Sequence, residues 1–523
     1  MEARRGLDLV CVLFIFAGPG VDGCSEVTLA DLYNSVIFLA TSQNGDVEMT
    51  KPFPNNPLLQ TNFAPIQAEC DAPDLVVHGE IPASIKGTLY RNGPNPMFPP
   101  FEGDSHHWFL GEGMIHAIHV EDGKVSYRNR WVHTDQYKAQ RKAGERLFST
   151  SFSGASKPEA EGIARNVANT NVVAHAGKLL ALDEGSSPVV MDMATLETFG
   201  PSTFDGKYEG PMTAHPKLDP KSGEMLFFGY MAAGPGTPDV SYNVVAADGT
   251  LTRSEMFKAP YAAMMHDFIV TDEHVIFPVF PATIDVERIL NGGPTIAWDP
   301  SQSSWIGIMG RDDSVDAIRW FEGDPCYVYH PMNAYTVRED GHTKVIADVM
   351  KFSRVPLFPD VDGKNAPDLK DELAVLVRWT FDLDGNSSGY TEELISDVGG
   401  EFPRFDERFA GAKYRHGFYA ARLRAPAPGA PFDAIVHVDT ETKERKIYEP
   451  GEGCFVHEPI FVERHEGAEE GDGYIVTLVY NTERNRSDFV VLDAQDISKG
   501  PVGRAELPTR VPYGFHGNWA NAS

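Results

Sequence analysis

The chain has 523 residues, with 45 basic against 75 acidic side chains and a formal net charge of −30 at neutral pH. So acidic a surface repels phosphate and excludes nucleic acid as a partner, whereas a neutral apolar small molecule meets no such barrier. Hydrophobic residues at 42% and aromatics at 11% suffice for a sizeable core and exclude a disordered or fibrous chain.

At the N-terminus, Arg4 and Arg5 precede an apolar run from Leu9 to Ala17. That run has the length of a signal-peptide core, but Asp8 interrupts its start and VDGC makes a poor cleavage site. It is too short to span a bilayer. Residues 1–48 therefore read as a poorly structured extension from an upstream start codon, with a weak signal peptide as the alternative. Globular sequence begins near Met49, and residues 49–523 read as a single domain. The five cysteines (Cys11, Cys24, Cys70, Cys326, Cys454) are odd in number, widely spaced and free of any C-x-x-C. That usage fits a reduced, cytoplasmic protein.

From there on, short β-rich runs alternate with turn signals: LVVHGEI, GTLYRNG, MIHAIHV, KVSYRNRWV, KLLALD, EMLFFGY, HVIFPVF, KVIADVM, DAIVHVD, YIVTLVYN and FVVLD. Asp-Gly pairs at Asp122, Asp205, Asp248, Asp340, Asp362, Asp384 and Asp472 punctuate them and predict hairpins. The best amphipathic helix is 135–148 (DQYKAQRKAGERLF). The pattern reads as all-β: a sandwich, a barrel or a propeller whose blades have diverged, since no clean repeat is visible. Long excursions at 356–370 and 396–415 are expected to cover one face.

Four histidines stand in unusual contexts: His215 (MTAHPKLDP), His266 (MMHDF), His330 (YVYHPMNAY) and His516 (YGFHGNW). The intervals of 51, 64 and 186 residues fit no local motif, so only a closed fold could bring them together. If they converge, they make an all-nitrogen site that suits ferrous iron and dioxygen better than structural zinc. His106, His107, His342 and His465 lie in polar loop sequence by comparison. Metal-bound imidazoles usually donate their other N–H to a carboxylate. Three glutamates lie in apolar or Gly/Pro surroundings that suit this: Glu184 (LLALDEGSSP), Glu401 (VGGEFPRF) and Glu458 (CFVHEPIF). No H-E-x-x-H, G-x-S-x-G, Walker A or G-x-G-x-x-G signature offers a rival chemistry.

GTLYRNGPNPMF, HHWFLGEGMIHA, ANTNVV, TAHPKLDP, MMHDF, EFPRFDERF, EGDGYIVTLVYN and the terminal FHGNW resemble the carotenoid cleavage oxygenase family, in order, from about residue 60 to the end. The resemblance implies an all-β, seven-bladed β-propeller with a helical and loop cap over its active-site face. It implies one Fe(2+) per chain on the axis, held by His215, His266, His330 and His516. Glu184, Glu401 and Glu458 would orient three of these, and the methyl of Thr170 would crowd one open position on the iron. Four neutral imidazoles would leave the ion its full double charge and two cis positions. The implied reaction consumes dioxygen and converts both carbons of an alkene to carbonyls, with the protein chiefly positioning the apolar substrate.

The texture is similar to the bacterial apocarotenoid and lignostilbene-type branch. Its stilbene-cleaving members grip the substrate phenol with a Lys and a Tyr; here Asp183 and Ser151 stand at those positions, while Phe109 keeps the aromatic. Loss of two such donors favours a non-phenolic polyene. The expected substrate is thus an apocarotenoid cut near the middle (13,14 or 15,15′), with a hydroxystilbene as the alternative. An apolar patch around the substrate entrance would admit shallow membrane contact; loops 230–238 and 357–361 are candidates, though their apolar residues would equally serve the core.

Overall fold

A computed structural model describes residues 51–152, 154–367, 372–424 and 432–522. The expected N-terminal extension, 1–48, lies outside them. The regular secondary structure of the unit 53–523 is mostly antiparallel strand and falls into seven blades of a β-propeller.

Blade 1 runs from the C-terminal strand Gly517–Asn521 through Gly87–Pro94, Gly113–Glu121 and Lys124–Trp131, with Asp71–Ala72 at the far edge. Blade 2 comprises Asn171–His175, Lys178–Leu182, Val189–Met191 and Thr198–Pro201. Blade 3 comprises Lys217–Leu218, Met225–Tyr230, Asp239–Val245 and Leu251–Lys258. Blade 4 comprises Ile269–Val270, His274–Val279, Ser304–Gly310 and Arg319–Gly323.

Blades 5 and 6 share one seven-stranded sheet from Tyr327–Glu339 to Arg445–Tyr448. Its strand Thr391–Phe405 first pairs with Ala374–Asp382 and, past a register shift, with His416–Ala421. In blade 7, Cys454–Val456 and Ile460–Glu463 both pair with Gly473–Asn481, followed by Arg486–Asp493, Pro501–Glu506 and Val77–Gly79.

Both ends of the chain close the ring. The last strand pairs with Gly87–Pro94 of blade 1, and the early strand Val77–Gly79 pairs with Pro501–Glu506 of blade 7. Closure joins the first and last blades, so that only the short outer edge of each blade stays unpaired. Apolar side chains pack between blades. Phe228 of blade 3, Phe268 before blade 4 and Phe277 within it are fully buried and in edge or stacked contact. Each such burial contributes on the order of 2 kcal/mol.

Three sequence expectations need correction. The helix is Asp135–Ala143, shorter than 135–148, because Gly144 adopts a left-handed conformation (φ 73°) and caps it. The segment 396–415 is not wholly a covering loop: its first half, 396–405, belongs to the long strand Thr391–Phe405. Of the seven Asp-Gly pairs, those at Asp122, Asp248, Asp340, Asp384 and Asp472 lie in connections between paired strands, whereas Asp205 and Asp362 lie in loops. No helix among the described residues is long and apolar enough to cross a membrane. Cys70, Cys326 and Cys454 are free thiols.

Candidate metal centre

His215, His266, His330 and His516 converge, with one nitrogen of each within 4.8 Å of the others. His215 and His266 lie two and three residues ahead of the first strands of blades 3 and 4, His330 lies in the first strand of blade 5, and His516 immediately precedes the closing strand of blade 1. His266 Nε2 is 3.1 Å from His215 Nε2 and 3.1 Å from His330 Nε2. Metal–imidazole bonds of about 2.1 Å place cis nitrogens of an octahedral ion about 3.0 Å apart and trans ones about 4.2 Å apart. The two 3.1 Å spacings match the cis distance.

The remaining blades supply carboxylates, so each of the seven contributes one residue. From blade 2, Glu184 Oε2 accepts from His266 Nδ1 at 2.6 Å. From the strand shared by blades 5 and 6, Glu401 Oε2 accepts from His330 Nδ1 at 2.6 Å. From blade 7, Glu458 Oε1 accepts from His516 Nδ1 at 2.9 Å. A proton fixed on Nδ1 leaves Nε2 as a bare lone pair. Converging lone pairs at 3.1 Å repel one another unless a cation lies between them, so the donor set fits a resident divalent metal. All-nitrogen ligation with no thiolate suits ferrous iron.

The three pairs differ electrostatically. Burial opposes ionisation of Glu458, but His516 and Arg404 outweigh it and hold its carboxyl down at about 2. Glu458 Oε2 also accepts from Gly517 N at 2.8 Å. Burial instead pushes Glu401 up to about 8, and its Oε1 has no hydrogen-bond partner. Burial works against charge on His266, yet Glu184 overcomes it and raises the imidazole. Burial holds His215 and His330 well below the usual histidine range.

Thr170 precedes the first strand of blade 2; its carbonyl accepts from His516 N at 3.1 Å and its hydroxyl donates to Asn169 Oδ1 at 3.0 Å. Phe109 packs edge-on against Phe515, the neighbour of His516, at 5.2 Å. The structure ties up the other two expected substrate contacts locally. Asp183 accepts from Val167 N (3.1 Å), Gly185 N (3.0 Å) and Ser186 Oγ (3.3 Å), clasping the loop that carries Glu184. The Ser151 hydroxyl pairs with Ser105 Oγ at 3.1 Å.

Several neighbours were not anticipated from sequence. Tyr230 donates to Glu184 Oε1 at 2.9 Å, and Arg404 Nη1 lies 3.4 Å from Glu458 Oε1. Phe402, beside Glu401 at a register break in the strand, has φ 57° and stacks its ring on His330 at 5.6 Å. Such a break re-aims side chains, and no sequence pattern marks it. His107, read as a polar-loop residue, is in a box of Phe109, Phe152 and Phe358. The aromatic-rich HHWF run was the available signal for it.

The family model described as retinal pigment epithelial membrane protein (RPE65) matches residues 63–521. Isoeugenol monooxygenase of Pseudomonas nitroreducens is 38% identical over 477 residues, covering 89% of this chain and 98% of the relative. The crystal structure of Pseudomonas brassicacearum lignostilbene dioxygenase superposes with a TM-score of 0.85 at 39% identity, over 90% of this chain and 100% of that one. A variant of the Synechocystis apocarotenoid oxygenase gives 0.79 at 27% identity, with the same coverage of 90% and 100%. The four-histidine propeller and these matches identify the chain as an oxygenase that belongs to the RPE65/carotenoid oxygenase family.

Proposed function

We propose that the protein is an iron-dependent dioxygenase that cleaves a conjugated carbon–carbon double bond of an apolar, ring-bearing alkene to two carbonyl products. The observation that carries this reading is the buried set of four imidazoles, three of them oriented by glutamates at 2.6–2.9 Å. His215, His266, His330 and His516 would hold the iron, which when bound supplies the electrons that activate dioxygen. Both oxygen atoms enter the two carbonyls, so the reaction balances without a further reductant.

The chain's own residues arrange the rest. Glu184, Glu401 and Glu458 fix the ring orientation and tautomer of three ligands. Thr170, whose carbonyl accepts from His516 N, would restrict access beside the metal with its methyl. The aromatic box at Phe109, Phe358 and Phe515 provides flat faces for a conjugated substrate beside His516. Burial of the ligands excludes water from the reacting centre.

For the substrate, that aromatic box and the likeness to proteins named for isoeugenol and lignostilbene support an aryl alkene. The apocarotenoid reading stays as the second. It is favoured by Asp183 and Ser151, whose side chains are held by neighbouring groups and offer no cationic or phenolic grip. Metal-free protein is to be loaded with ferrous iron without oxygen, then given resveratrol, isoeugenol and a C30-type apocarotenal separately in air. Paired carbonyl fragments from an aryl alkene support the first reading; fragments from the polyene alone support the second. No fragments from any alkene, at one iron per chain, would sink the dioxygenase proposal.

The aromatic box adjoins a candidate membrane-contact face. Thr295 Oγ1 donates to Phe152 O at 3.3 Å, Trp298 N donates to Pro359 O at 2.8 Å, and Val286 lies against Gly236. Of the loops expected there, 230–238 and 357–361, Tyr230 and Phe358 belong to the core, while Val361 is exposed together with Val286 and Leu290. Exposed apolar side chains such as these, on a chain of charge −30, would suit an uncharged lipid surface.

A further inference from the structure

Three of the four histidines rest on a glutamate; His215 does not. The nearest carboxylate to its Nδ1 is Asp267 Oδ2, at 3.8 Å. That is about 1 Å longer than a hydrogen bond, and no hydrogen bond to His215 Nδ1 is present among the described residues. Asp267 is buried, and its Oδ1 is occupied by Lys217 Nζ at 2.7 Å and by Phe268 N at 2.7 Å.

The placement of this ion pair is informative. Lys217 is two residues beyond His215, and Asp267 directly follows His266. The bridge therefore links the segment that opens blade 3 to the segment that opens blade 4, each within two residues of a metal ligand. The Lys217 ammonium also lies 5.8 Å from the centre of the Phe268 ring, which fixes its position further. The carboxylate that could have closed on His215 is instead held away from it.

We infer that Lys217 and Asp267 are a positioning pair that sets the spacing of His215 and His266 in the metal centre through the backbone segments that carry them, not through a hydrogen bond to the imidazole. This rests on the four-histidine metal site proposed above. Neither residue touches substrate. The pair holds two blades in register at the point where their imidazoles must lie cis.

The test uses the full chain and cobalt(II) in place of iron. The readouts are its visible ligand-field spectrum and its rate of loss to a chelator, which a purely structural bridge would not change. Lys217→Met and Asp267→Asn should each shift the spectrum and speed cobalt loss ~10-fold, the lower end of the usual effect of such outer contacts. The double variant should lose cobalt no faster than either single one, and Lys217→Arg should restore the wild-type spectrum. Asp267→Asn is nearly isosteric, so it stays informative even if Lys217→Met unfolds. An unshifted spectrum with a loss rate within twofold of wild type in Asp267→Asn, or fully additive effects in the double variant, overturns the pairing. Failure of the wild type to take up cobalt overturns the metal site itself.

Discussion

Glu401 and Glu458 occupy equivalent positions relative to their histidines, yet their replacement by glutamine should have opposite consequences for stability. Glu458 is ionised and receives three hydrogen bonds: from His516 Nδ1 (2.9 Å), Gly517 N (2.8 Å) and Arg404 Nη1 (3.4 Å). Its charge also acts on the buried Arg91, whose guanidinium it helps to keep protonated against burial. Removing one partner of such a buried set typically costs about 3–5 kcal/mol. Unfolding entropy of about 2 cal/mol/K per residue over roughly 470 residues is about 1 kcal/mol/K, so Glu458→Gln should lower the Tm of the metal-free protein by about 3–5 °C.

Glu401 has one unpartnered oxygen and no cation in contact, and burial raises it from 4.5 to about 8. A carboxyl raised in this way takes up a proton on folding, so its contribution falls as pH rises from about 4.5 through about 8. Glutamine takes up none. Metal-free Glu401→Gln should therefore melt at or above the wild-type Tm at pH 7.5, with a flatter slope between pH 5 and 8. Both variants should hold iron at least ~10-fold more weakly, because each loses a carboxyl partner for an imidazole. Calorimetry of the metal-free proteins and metal titration separate the two effects. A drop in Tm for Glu401→Gln as large as that for Glu458→Gln would falsify the electrostatic asymmetry.

His266→Ala removes the imidazole at the centre of the two 3.1 Å contacts. It should leave the chain folded and without bound iron by elemental analysis; full occupancy in that variant would remove the basis of the ligand assignment. His437, far from the metal, lies on Phe418 at 4.8 Å and is pushed down to about 4 by burial and then by His416. Its neutral form stabilises the fold above pH 6.5, and that stability is lost as pH falls from 6.5 through about 4. His437→Gln should reduce the Tm difference between pH 7 and pH 5 by about 2 °C, from about 2 kcal/mol of linkage; an unchanged difference refutes it. Leu290→Asp should abolish co-sedimentation with zwitterionic phosphatidylcholine vesicles, and equal binding of wild type and variant would place the contact elsewhere.

How much of this was legible in the sequence follows from how each feature is encoded. Strands and many turns were readable because alternation and Asp-Gly pairs act over a few residues. The ligand histidines were readable as candidates, since His215, His330 and His516 adjoin Pro or Gly where blades begin and strands turn. Their convergence was not readable from local pattern; it needs ring closure by Gly517–Asn521 against Gly87–Pro94, a pairing across more than four hundred residues that no local pattern encodes. The family resemblance supplied what periodicity could not. What escaped even the resemblance are contacts fixed by backbone irregularity and by charge at short range. Phe402 reaches His330 only because the strand breaks register beside Glu401. Asp183 looked like a lost substrate grip because the position suggested the role, yet its oxygens face backbone N–H groups that a Lys could not satisfy. A Lys introduced there would first have to dismantle the loop that seats Glu184. Substrate preference at this position is thus coupled to the metal centre, and a change of grip requires a change of loop.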